Sequence, residues 1–253
     1  LHCLHCQNAE ISQGNPEDVP SYELMPACLP ALARRHGCTA VAYTYTEPVV
    51  SYEYTLDCCK AAHEAGLRNV LVTAAYIKER PLRALLEHVD AANLDIKAMS
   101  DQFYREVCSA TLDPVLRAAR VMREVGAHLE ITNLVIPTLN DSGEMLKELC
   151  GWVADNLGAE TPLHFSRFFP RFKMTHLPPT PIETLLRARE HAVRRGLKHV
   201  YVGNAEVKDG EDTACAGCGA TLIRRRRYVI VENRLAVDGT CPECGRKARG
   251  VWS

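Results

Sequence analysis

The chain has 253 residues, 47% of them hydrophobic, which suffices for one large core or for a core plus a small module. Its 30 basic and 31 acidic residues leave a net charge of −1, so there is no electrostatic pull toward nucleic acid or an anionic membrane. No apolar run reaches the roughly 18 residues of a membrane span, and the 12 cysteines lack the spacing of a secreted disulfide domain, so a reducing, cytoplasmic setting with metal-bound thiolates is expected.

The chain opens on Leu1, and Cys3-Leu4-His5-Cys6 stands at its edge. A C-x2-C pair placed there is expected to be the end of a longer loop. Iron–sulfur clusters are held by three or four thiolates. One more Cys four residues ahead of Cys3 would complete C-x3-C-x2-C and leave one iron of a four-iron cluster open. Taken alone, the pair would equally suit a thioredoxin-like redox site, but no strand precedes it.

Strands and helices then alternate. Thr39 to Thr46 is β-branched and aromatic and ends at Glu47-Pro48; residues 49–66 form a helix stopped by Gly66. Val70 to Thr73 is a strand, 81–89 a helix opened by Pro81, and Ala92 to Lys97 a strand. A helix over 113–125 ends at Gly126, a strand from His128 to Ile136 ends at Pro137, and a helix over 142–157 ends at Gly158. Leu163 to Phe169 is a strand ending at Pro170, 182–195 a helix ending at Gly196, and His199 to Val202 the last strand. Glycine stops and proline breaks punctuate these elements in the usual way. Such alternation predicts βαβ units and a parallel sheet. The expected class is α/β, a partial (β/α) barrel whose first strand lies upstream, over residues 1–205, with a distinct module over 206–253.

That module holds Cys215-Ala216-Gly217-Cys218-Gly219 and, 22 residues later, Cys241-Pro242-Glu243-Cys244-Gly245. Each C-x2-C sets two sulfurs on one turn, and the following Gly admits positive φ. Four thiolates make a closed tetrahedral site, typically for zinc. The gap fits a hairpin with strands Leu222 to Glu232 and Leu235 to Val237, turning at Asn233-Arg234. Arg224 to Arg227 suggests nucleic acid, but the near-neutral chain favours a solvated ribbon strand.

At this point a resemblance enters. Cys3-Leu4-His5-Cys6-Gln7-Asn8, Tyr43-Thr44-Tyr45-Thr46-Glu47-Pro48, Asn93-Leu94-Asp95-Ile96-Lys97-Ala98, Leu134 to Asp141 and His164 to Pro170 resemble the radical S-adenosylmethionine (SAM) member of the AmmeMemoRadiSam system, a relative of glycyl-radical-enzyme activases. The likeness covers essentially the whole chain, the two-knuckle tail included. It implies a [4Fe-4S] cluster on Cys3 and Cys6, with a third Cys upstream, and SAM at its open iron. It further implies His5 beside the adenine and Glu47 near the SAM amino group. Asp95 and Lys97 would lie toward ribose and carboxylate, and Asn133 and Asn140 on the adenine side. Zinc would occupy Cys215, Cys218, Cys241 and Cys244.

The implied activity is reductive cleavage of SAM to a 5′-deoxyadenosyl radical that takes hydrogen from an unidentified substrate. An electron donor such as flavodoxin or ferredoxin, and the other proteins of that system, are the implied partners. Blander roles stand beside these. Glu47 could cap the next helix, Asp95 and Lys97 could form a salt bridge, and His164 and His176 could be structural. Thr73-Ala74-Ala75 stands where the family commonly has Thr-Asn-Gly, which puts that turn in question. A metal-binding module that recruits a protein or nucleic-acid partner, or an inactive scaffold, is the alternative.

Overall fold

The computed structural model describes residues 1–252. Helices α1 (Ala9–Ser12) and α2 (Leu29–Arg35) precede strand β1 (Ala40–Tyr43). Then follow α3 (Tyr52–Glu64), β2 (Arg68–Thr73), α4 (Glu79–Leu86), β3 (Ala91–Asp95), α5 (Asp101–Cys108), α6 (Asp113–Glu124), β4 (His128–Val135), α7 (Gly143–Asn156), β5 (Leu163–Arg167), α8 (Ile182–Arg194) and β6 (Val200–Gly203). Strands β1 to β6 make one parallel six-stranded sheet in chain order, as the alternation predicted. Helices α2 and α5 were not anticipated. Ser100 marks the second: its side chain caps Phe103 N at 3.2 Å, and Ser109 closes the helix in the left-handed region. Among the described residues no helix is long and apolar enough to cross a membrane.

Two compact units divide the chain, the first built from residues 1–96, 100–129 and 170–177. Its strands bury alternate residues, Leu71 and Thr73 on β2 and Ala92 and Leu94 on β3. On α4, Leu82, Leu85 and Leu86 fall at i, i+3 and i+4 and are all buried. Each contributes roughly 1.5–3 kcal/mol by leaving water. Asn69, fully buried on β2, ties three elements together. Its amide donates to Cys59 O and His88 O, both at 2.8 Å, and its Oδ1 accepts from Tyr43 Oη at 2.9 Å. Every polar atom of that side chain is thus satisfied. Burial there pushes the Tyr43 phenol well above its ordinary range and the Cys59 thiol up to about 12.

The second unit holds residues 97–99, 130–169 and everything from 178 onward. On β4 burial alternates strictly: Ile131, Asn133 and Val135 are buried, whereas Glu130, Thr132 and Leu134 are half-buried. Strands β5 and β6 repeat the pattern, with Phe165 and Val202 buried and His164 and Tyr201 half-buried. Helix α8 packs on β5 and β6, and α7 packs on α8. The buried parity therefore lies under helices. The other parity forms a polar, partly open face, unusual for a parallel sheet, whose two faces are normally both covered.

Beyond β6, a small antiparallel sheet is made by β7 (Thr213–Ala214), β8 (Thr221–Arg226) and β9 (Val229–Asn233). This corrects the expected hairpin. The chain reverses at Arg227-Tyr228, not at Asn233-Arg234. Arg227 adopts φ 55°, and its N–H donates to Glu211 Oε2 at 2.6 Å. Asn233 instead ends β9 by accepting Leu235 N at 3.1 Å. The arginine run is largely spent within the unit. Arg224 pairs with Asp212 and Glu232, Arg225 binds Thr213 and the Glu211 carbonyl, and Arg227 meets Glu206. That bonding accords with a solvated ribbon strand.

Candidate functional site

In the first unit, the Cys3–Cys6 loop closes on a helix end. The last carbonyls of a helix lack intrahelical partners. Here His2 N donates to Cys108 O at 3.0 Å and Leu4 N to Val107 O at 2.9 Å, so the loop caps α5. Leu4 O in turn accepts Lys173 N at 3.1 Å, and Cys6 N donates to Cys3 O at 3.2 Å in a tight turn. Cys3 and His5 are buried, with the His5 ring 6.4 Å from that of Phe103. Cys6 is half-buried, and its Sγ lies 3.1 Å from Ser12 Oγ. Two sulfurs on a backbone-clamped turn could supply two of the three or four thiolates an iron–sulfur cluster requires.

The N-cap of α3, Ser51, makes no side-chain cap bond, and Glu47, just past β1, accepts the Val49 N–H ahead of that helix at 3.5 Å. Its carboxylate also accepts the hydroxyl of Thr73 and the N–H of Ala74, the latter at 2.7 Å. The turn at the end of β2 is therefore made without glycine. Ala75 takes φ 46°, and its N–H donates to Thr73 Oγ1 at 2.8 Å. Residues 44–48 also line a cavity of about 360 Å³ with Tyr43, Tyr54 and Cys58. Asp95 closes β3 with its side chain half-buried.

Lys97, Asn133 and Asn140 come together in the second unit through one carbonyl. Lys97 O accepts Asn133 Nδ2 at 3.2 Å and Asn140 Nδ2 at 2.6 Å. Asn140 also donates to Leu134 O and accepts Ile136 N at 2.6 Å. These amides brace the backbone that leaves β4, where Thr138 has φ 67°.

On the open face of the same unit, His164 Nε2 lies 2.7 Å from Glu130 Oε2. Its ring stacks on Tyr201 at 4.8 Å between centroids and 23° between planes. Sequence reading singled out His164 alone. Its partners stand 34 and 37 positions away, and no local pattern signals them.

The four ribbon cysteines converge. Their Sγ atoms all lie within 4.8 Å of one another, with Cys215–Cys244 at 3.6 Å and Cys218–Cys241 at 3.8 Å. N–H groups of Cys218 and Gly217 favour the Cys215 thiolate and draw that thiol down to about 6. The Arg246 N–H favours the Cys244 thiolate too, yet hydrogen bonds with Cys215, Cys218 and Cys241 hold its proton, up to about 11. Four sulfurs crowded this way suit a dication that neutralises them together. Cys215 and Cys241 also belong to the module's small core with Leu222 and Ile223, on which Trp252 packs.

Residues 1–150 match the Radical SAM superfamily. An uncharacterized protein of Methanocaldococcus jannaschii, MJ0808, is 46% identical over 250 residues, covering 98% of this chain and 74% of the relative. A pyruvate formate-lyase-activating enzyme from Clostridium pasteurianum is 26% identical over 156 residues, covering 59% of this chain and 63% of its own. Among solved structures, a domain of the pyruvate-formate lyase-activating enzyme from Bacteroides vulgatus superposes with TM-score 0.58 at 14% identity, over 65% of this chain and 99% of that domain. Streptococcus suis SuiB bound to S-adenosylmethionine superposes with TM-score 0.62 at 15% identity, over 81% and 49% of the two chains. At those identities the superpositions speak for the fold alone. With the family match over more than half of its length and the close archaeal relative over nearly all of it, this chain belongs to the Radical SAM superfamily.

Proposed function

We propose that the protein is a radical SAM enzyme of the AmmeMemoRadiSam type acting on an unidentified substrate, and that its six-stranded sheet is part of a (β/α) barrel. The observation that carries this is the Cys3–Cys6 loop, clamped by backbone bonds to the end of α5 within the family-matching residues. Cys3 and Cys6 supply two thiolates to a [4Fe-4S] cluster. When bound, the cluster supplies the electron that splits SAM into methionine and a 5′-deoxyadenosyl radical able to take hydrogen from the substrate.

The chain's own residues bind and orient. His5, buried beside Phe103, covers the cluster loop. Glu47, fixed by Thr73 and Ala74, holds the backbone of residues 44–46 toward the SAM amino group. Asp95 serves the ribose, and the Lys97 segment, braced by Asn133 and Asn140, serves the carboxylate and adenine. Residues 206–253 form a zinc ribbon on Cys215, Cys218, Cys241 and Cys244, structural because a core as small as this module's does not hold it together alone. A reduced flavodoxin or ferredoxin is the donor class that suits such chemistry in the cytoplasm.

The test is anaerobic reconstitution of the full-length protein with iron and sulfide, followed by dithionite and SAM. The expected result is release of 5′-deoxyadenosine, abolished by Cys6→Ala. A protein that assembles a four-iron cluster and yields none under any reductant would sink the assignment.

A further inference from the structure

The Cys3–Cys6 loop ends in a run of side-chain hydrogen bonds that leads outward from one of its sulfurs. Cys6 Sγ lies 3.1 Å from Ser12 Oγ. Gln13 Nε2 donates to the same Ser12 oxygen at 3.1 Å, and Gln13 Oε1 lies 3.0 Å from His2 Nδ1. Backbone bonds set each member. His2 N is bonded to Cys108 O, Ser12 N to Asn8 O at 2.9 Å and Gln13 N to Ala9 O at 3.0 Å, so α1 and the end of α5 hold the run in place. Chemistry fixes the donor directions. An amide oxygen only accepts, so the hydrogen between His2 and Gln13 sits on Nδ1. That contact turns the Gln13 NH2 toward Ser12. A serine hydroxyl has a single hydrogen. With Gln13 donating into its oxygen, that hydrogen is left for Cys6.

We propose that Ser12 is a positioning residue for the iron–sulfur centre: its hydroxyl donates to the Cys6 thiolate and raises the reduction potential of a cluster held there, while Gln13 and His2 aim it. The proposal rests on the radical SAM reading, which supplies the cluster. A free thiol could give its hydrogen to Ser12 or take one from it. A ligating sulfur is a thiolate and has none to give, so Ser12 must donate. Reduction adds one negative charge, part of which falls on the ligating sulfurs. A donor aimed at sulfur therefore stabilises the reduced state more than the oxidised one, and such bonds are among the factors that set cluster potentials. The Cys6–Ser12 bond is partly buried, whereas the two bonds behind it are exposed. Water thus competes least where the bond acts on the sulfur. The consequence is a cluster that accepts its electron more readily, at the expense of some driving force for splitting SAM.

The experiment uses the full-length protein reconstituted anaerobically with iron and sulfide, without SAM. A redox titration followed by the low-temperature paramagnetic signal of the reduced cluster reads the potential. At a fixed potential, Ser12→Ala should lower the ratio of reduced to oxidised cluster at least about threefold, a negative shift of about 28 mV at about 59 mV per decade for a one-electron couple. Ser12→Thr keeps the hydroxyl and should restore the ratio. Gln13→Leu leaves the serine in place without its aim and should move the ratio the same way by less; it carries the test if Ser12→Ala does not hold iron. A smaller fall or a rise in Ser12→Ala, a Ser12→Thr ratio like that of Ser12→Ala, or an unshifted Gln13→Leu overturns the proposal. A wild type that assembles no four-iron cluster instead overturns the radical SAM reading beneath it.

Discussion

Thr73 at the end of β2 hands its hydroxyl to the carboxylate of Glu47 just past β1, and the next N–H, of Ala74, takes the other carboxylate oxygen at 2.7 Å. The bond ties together two strand ends, where open α/β folds place their ligands. It also shows that the Glu47 carboxylate braces the turn at the end of β2.

Glu47→Ala should therefore lower stability by about 1–3 kcal/mol, since the Ala74 N–H loses its acceptor. SAM binding to the reconstituted protein should weaken at the same time. Denaturant unfolding and calorimetric titration read the two effects. Unchanged stability would mean that the turn is held by other groups.

Ala75 occupies the left-handed region at φ 46° and is fully buried. That conformation costs an L-residue roughly 1–2 kcal/mol, which glycine escapes while losing some backbone entropy. Ala75→Gly should raise stability by the balance, about 1 kcal/mol, read as a higher unfolding midpoint. A lowered midpoint would show that the Ala75 methyl packs too well to lose.

Asn69 makes the opposite case. Replacement by Leu removes the amide from Cys59 O and His88 O and the acceptor from Tyr43 Oη. Three buried or part-buried polar groups would each lose this partner, at up to about 1–3 kcal/mol each before relaxation. The variant should be destabilised by about 3 kcal/mol or more, measured by thermal or urea unfolding.

The four-Cys site predicts one zinc per chain by elemental analysis, held by the ribbon. Trp252 reports on it. The indole packs on the core that includes Cys215 and Cys241, and its Nε1 donates to Ala248 O at 2.9 Å. Strong chelators, or Cys218→Ser, should shift Trp252 emission to the red and expose the C-terminal module to protease, with Trp152 providing the unshifted background. Zinc retained after Cys218→Ser, with unaltered emission, would count against a four-thiolate site.

Much of this protein is legible locally. Strand and helix order follows from glycine stops, proline breaks and apolar runs, all of which act within a few residues. The convergence of Cys215, Cys218, Cys241 and Cys244 follows from two turns whose geometry is set by adjacent residues, and the Cys3–Cys6 pair is visible for the same reason. Local pattern failed first at the hairpin, where β-branched residues on both sides of Arg227-Tyr228 look like one strand. A left-handed Arg227, held by Glu211 16 positions earlier, decides the turn. Tertiary structure alone decided what Glu47 binds, because Thr73 is 26 residues away. The alternation of Leu129 and Ile131 with Glu130 and Thr132 already marks which parity of β4 is buried, but only the tertiary structure set the strands beside one another. From that placement follows the meeting of His164 with Glu130 and Tyr201: side chains on separate strands become neighbours only when the register of the parallel sheet is set, and no spacing along the chain encodes that register.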